Sequence, residues 1–98
     1  MLQFDNMIKS WKHKGLEHFF KTGKSIGILS NHAKKLKIIL QLLNAADKPE
    51  RLNLPGMRFH KLKGDKKGYF SVTVNANWRV IYKFVGKDAI LVDYLDYH

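Results

Sequence analysis

Cysteine is absent from the chain, which removes disulfides, thiolate catalysis and cysteine-type zinc sites together. That fits a reducing cytoplasm. No apolar run approaches the ~20 residues of a membrane span, and the first residues lack the basic-then-apolar order of a signal peptide. No membrane association is expected. Acidic residues are scarce as well: 8 Asp and Glu stand against 18 Lys and Arg, a net charge of +10 over 98 residues. Such a chain repels itself unless an anion is bound. Nucleic acid is the usual partner, with an anionic membrane surface or an acidic protein as the alternatives. Too few acids, and no histidine pair at ligand spacing, also argue against a metal site. No cofactor is expected.

What is present is enough for one modest core, with 45% of residues hydrophobic. At this length a second core would leave each half too small to fold alone, so residues 1–98 are expected to form a single domain. Met1 to Asn6 carry little pattern and read as an extension or the product of an upstream start codon. Ile8 to Trp11 suit a short strand. Leu16, Phe19 and Phe20 then recur at helical spacing until Gly23 stops the pattern. A second helix is clearer: Ser30 or Asn31 can cap its start, and Ala33, Leu36, Ile39, Leu40 and Leu43 form one apolar stripe ending near Ala46. Both prolines fall in the next stretch, Asp47 to Gly56, which is expected to be a loop.

From Met57 the period changes from helical to alternating. Phe70, Val72, Val74 and Ala76 alternate with polar residues, as do Trp78, Val80, Tyr82 and Phe84, and Asn75-Ala76-Asn77 between them suits a turn. Gly86-Lys87-Asp88 makes another, before a last strand from Ala89 to Tyr94. Helices first and strands afterward predict an α+β fold, with two N-terminal helices on one face of a mainly antiparallel sheet of about four or five strands. The histidines beside the helices, His13, His18 and His32, sit among lysines and are expected on the surface. Trp78 falls in register with core positions.

Between helices and sheet lies a basic turn. Arg58, Lys61, Lys63, Lys66 and Lys67 crowd around Gly64 and Gly68 with only Asp65 opposing them, so phosphate is the natural ligand. His60 places a proton-transfer group within the same run. In a regular strand His60 and Lys63 would face opposite ways. They converge only if the strand ends near Leu62, and Gly64 makes that bend cheap. RNA chemistry is the reading these residues suggest.

The run LKGDKKGYFSVTVNANWRVIYKF, with His60 before it and Asp96-Tyr97-His98 after it, resembles the HigB toxins of the RelE-like superfamily. The likeness begins near Met7, is loose from Ser25 to Gly56, and is close from His60 onward. It implies a small α+β toxin domain and a ribosome-dependent endonuclease that cuts mRNA in the decoding site. The implied partners are ribosome and mRNA, and a HigA-like helix-turn-helix antitoxin through which operator DNA would be met only indirectly. The implied reaction is metal-independent attack of a ribose 2′-OH on the neighbouring phosphate. On the matching positions His60 and His98 are assigned to proton transfer, with acid and base left open. Lys63 and Arg79 take phosphate binding and charge stabilisation, and Asp96 orients an imidazole. Tyr97 either stacks on a base or donates a hydrogen bond. Lys61, Lys66 and Lys67 steer phosphate, and Asn77 either shapes its turn or contacts the nucleotide. At Asn75 the chain departs from a position often basic in the family, which bears on affinity more than on catalysis. Standing last, His98 has its own carboxylate and Asp96 nearby, both favouring the protonated ring. The rival is a non-catalytic RNA- or ribosome-binding inhibitor of the same fold.

Overall fold

Residues 8–97 are described by a computed structural model, so Met1 to Asn6, read above as an extension or the product of an upstream start codon, lie outside the described residues together with Met7 and His98. Helix α1, Lys14–Thr22, starts because His13 caps it: the Leu16 N–H donates to His13 Nδ1 at 2.9 Å. It stops at Gly23, which takes the left-handed conformation (φ 79°) and donates its N–H to the Phe19 carbonyl, a geometry that glycine adopts without a Cβ clash. Helix α2, Ala33–Ala45, buries the expected stripe of Leu36, Ile39, Leu40 and Leu43. Its start differs from expectation. Ser30 and Asn31 lie in a 3₁₀ turn, Ser30–His32, and no side chain caps either the turn or the helix. The following loop also contains a short 3₁₀ turn, Pro49–Leu52.

Four strands follow: β1 (His60–Lys61), β2 (Phe70–Asn75), β3 (Trp78–Val85) and β4 (Asp88–Asp96). They pair antiparallel in chain order. The strand expected at Ile8 to Trp11 reduces to two isolated parallel bridges, Ile8 with Ala89 and Trp11 with Val92, along the outer side of β4. Ala76 is in the turn rather than the strand, with a positive φ of 51°. Val72, Val80, Tyr82, Val92 and Tyr94 meet Leu16 and the α2 stripe in one core. Because side chains alternate across a strand, their neighbours Ser71, Thr73, Arg79 and Ile81 occupy the opposite face, where Ser71 and Ile81 are also buried and register sets His60 beside Ser71 and Arg79 beside Thr73.

Two histidines correct the surface expectation. His13 is a cap, and its ring meets Tyr94 edge-on. His32 is only 2% exposed; its Nδ1 shares a 2.7 Å hydrogen bond with the Tyr94 hydroxyl, and its ring packs edge-on against Trp78. Desolvation holds that hydroxyl above the ordinary tyrosine range, partly offset by a hydrogen bond from the Leu29 backbone. His32→Ala would open a cavity and remove one of the hydroxyl's partners, leaving the Leu29 backbone contact, at an expected cost of about 2–4 kcal/mol. Thermal unfolding should register this as a fall of roughly 10 °C or more, and an unchanged midpoint would show that the pair is not a structural tie.

Candidate active site

Arg58 begins the site by adopting a left-handed backbone (φ 49°), which costs a non-glycine residue of order 1 kcal/mol. Its carbonyl lies 2.7 Å from His60 Nδ1. A carbonyl can only accept, so Nδ1 carries the proton, and in the neutral ring Nε2 is left as the free base. The His60 side chain is exposed, as is that of Lys61. Strand β1 ends at Lys61, and the chain turns through the 3₁₀ segment Gly64–Lys66, with Gly64 at φ 68°. With the strand ended, His60 and Lys63 both line one hollow.

From β3, Arg79 comes up between β2 and β4. Its Nη1 donates to Thr73 Oγ1 at 3.0 Å, and its guanidinium sits 6.0 Å from the centre of the Tyr97 ring. Tyr97 is fixed at the end of β4 by its N–H, which donates to the Asn77 carbonyl at 2.8 Å. The side chains enclose a hollow of about 240 Å³ whose lining includes His60, Lys61, Lys63, Arg79 and Tyr97. Three of these carry positive charge and no acid lines the hollow among the described residues, so an anion entering it meets attraction from several sides.

Two lining residues were not singled out from sequence. Leu62 and Ser71 complete the wall, and Ser71 is 1% exposed with a hydroxyl that has no hydrogen-bond partner among the described residues. Arg79 Nε is likewise buried without a partner. Only the pairing of Ser71 with His60 places it here; in the sequence it is one more polar residue on an alternating strand.

Other expected members fall outside the lining. Asp96 pairs with Trp78 while Leu95 pairs with Arg79, so alternation turns the Asp96 side chain from the face Arg79 occupies. The exposed side chain of Asn77 is also away from the hollow, and its contribution there is the carbonyl that holds Tyr97. Lys67 is exposed in the turn, while Lys66 reaches toward the Tyr69 ring.

Fold and hollow together define a small α+β protein with a cationic hollow on one face of its sheet. A family model described as RelE-like toxin of type II toxin-antitoxin system HigB matches residues 9–98. The chain is 41% identical over 92 residues to endoribonuclease HigB of Proteus vulgaris, covering 94% of this chain and 100% of that one. It is 36% identical over 94 residues to toxin HigB-1 of Vibrio cholerae serotype O1, covering 94% and 98%. The chain belongs to the HigB family of RelE-like toxins of type II toxin–antitoxin systems. A toxin of this kind has an antitoxin as its partner.

Proposed function

We propose that the chain is an endoribonuclease toxin that cuts ribosome-bound mRNA in the cytoplasm and is silenced by a HigA-like helix-turn-helix antitoxin. The observation that carries this reading is the hollow, in which a histidine with a free Nε2 shares a wall with Lys63 and Arg79. The endoribonuclease similar to this chain over nearly its whole length supports the same activity.

In the proposed reaction a ribose 2′-oxygen attacks the adjacent phosphorus, the P–O5′ bond breaks, and a 2′,3′-cyclic phosphate and a free 5′-OH result. The base takes the 2′-OH proton and the acid gives one to the 5′-oxygen. His60 Nε2 suits the base role, which leaves His98 as the proposed acid; Asp96, turned from the Arg79 face, takes no part in this scheme. Lys63 and Arg79 offset the charge that gathers on the equatorial oxygens, Lys as a point charge and Arg as a planar fork. Tyr97, whose ring centre lies 6.0 Å from the Arg79 guanidinium, either stacks on a base or donates a hydrogen bond. Steering falls to Lys61, Lys66 and Lys67.

The experiment compares wild type with His60→Ala on ribosomes carrying message. Loss of cleavage with ribosome binding retained is the expected result. Undiminished inhibition of translation by the variant would instead favour blockade by occupancy.

A further inference from the structure

Outside the hollow a second group of cations converges, this time on an aromatic ring. Tyr69 stands where the basic turn enters β2. Lys83 Nζ lies 4.9 Å from its ring centre, and Lys12 Nζ and Lys66 Nζ each lie at 6.0 Å. These lysines come from three separate parts of the chain: the N-terminal segment, the turn and β3. Each gains from the ring's quadrupole. Yet three ammoniums around one ring also repel each other, at separations on the order of the ~8 Å screening length. None of the three forms an ion pair among the described residues.

The gathering is built into the backbone. Gly68 has φ 95°, and a Cβ there would lie 3.3 Å from Lys83 Cε and 3.5 Å from its Nζ, so the glycine leaves the channel along which Lys83 runs. Tyr69 is held by hydrogen bonds at both ends, its N–H donating to Lys66 O and its carbonyl accepting from Leu62 N. Alternation sets Tyr69 on the same face as Ser71, about 7 Å along the strand from the floor of the hollow. A strand of nucleic acid leaving the hollow in that direction reaches the ring within about one nucleotide.

We propose that Lys12, Lys66 and Lys83, marshalled by the Tyr69 ring, form a second phosphate subsite that holds the RNA backbone next to the nucleotide in the hollow. This rests on the reading of the hollow as an RNA cleavage site and extends it. The polyanion relieves the mutual repulsion of the ammoniums, and because they meet phosphate rather than base edges, the subsite adds affinity without adding sequence preference.

The test uses 2′-O-methyl RNA, which cannot undergo 2′-OH attack, as a dinucleotide that fills only the hollow and as a hexanucleotide that extends beyond it. Wild type is expected to bind the hexanucleotide about tenfold or more tightly than the dinucleotide. The Lys12→Gln/Lys83→Gln variant should lose most of that gain, keep its dinucleotide affinity, and show a salt slope shallower by roughly 0.7 for each phosphate contact removed. Tyr69→Phe, which keeps the ring, should bind as wild type, and Tyr69→Leu should bind like the lysine variant. Thermal unfolding of each variant checks the fold. Message and ribosomal RNA present the same phosphates, and co-pelleting with ribosomes separates them: a loss confined to message-loaded ribosomes assigns the strand to mRNA, an equal loss without message to ribosomal RNA, and either supports the subsite. Unchanged hexanucleotide affinity and slope in a folded lysine variant would overturn it. So would a variant that loses affinity for its antitoxin alone. Arg79→Gln should weaken both oligonucleotides; if it weakens neither, the hollow has failed as the RNA site, whatever the lysines do.

Discussion

Arg79→Ala should cut the cleavage rate on ribosome-bound message by about 10²–10³-fold, the usual penalty for losing one preorganised group that stabilises transition-state charge. The side chain is half-buried between β2 and β4, held by Thr73 and Tyr97, so its guanidinium is placed before substrate arrives. Stability should change little. The contact with Thr73 is a single hydrogen bond, and the buried Nε has no partner among the described residues, so the net cost should stay within about 1 kcal/mol. Arg79→Lys should recover little activity, because an ammonium cannot offer the fork to two phosphate oxygens. Lys61→Ala gives the contrast: it removes an exposed lining cation, and a drop of only a few-fold is expected from weaker steering. Single-turnover rates and melting curves measured together check both halves of this. A stable Arg79→Ala variant that cuts at the wild-type rate would remove Arg79 from the reaction.

Much of the scaffold was legible because it depends on local pattern. The α2 stripe, the alternation of β2 and β3, and the stop at Gly23 are each set by residues within a few positions of one another. The convergence of His60 and Lys63 was legible as a condition: it required β1 to end early, and it ends at Lys61. What escaped depends on pairing across the chain. His32 looks like a surface residue among lysines, and only the arrival of Tyr94 and Trp78 from the sheet makes it a buried tie. Ser71 gains its place from register with His60. Asp96 shows the reverse, since nearness to Tyr97 in sequence suggested one cluster while strand alternation separates their sides. Lys12 meets Tyr69 from the far end of the chain, and no spacing rule reports such a contact.

Binding to RNA or ribosomes is expected to weaken by about twentyfold or more when salt rises from about 50 to about 200 mM. If Lys61, Lys63 and Arg79 each neutralise one phosphate, counterion release gives a slope near −2 on logarithmic axes, at about −0.7 per contact for single strands. Further contacts would steepen it. The net charge of +10 raises the question of whether the whole surface, rather than the hollow's sheet face, sets the slope. Lys34 answers it: this lysine is exposed on α2, in the helical layer on the other side of the sheet. Lys34→Gln lowers the net charge as much as Lys63→Gln does. Only the change at Lys63 should reduce the slope, by roughly 0.7, because counterions are released where phosphate is contacted. Equal reductions from the two variants would mean that the protein is held by diffuse charge. A nearly flat affinity in the wild type would assign the cations to the antitoxin or to solubility, and the hollow would then lack the attraction on which its proposed chemistry depends.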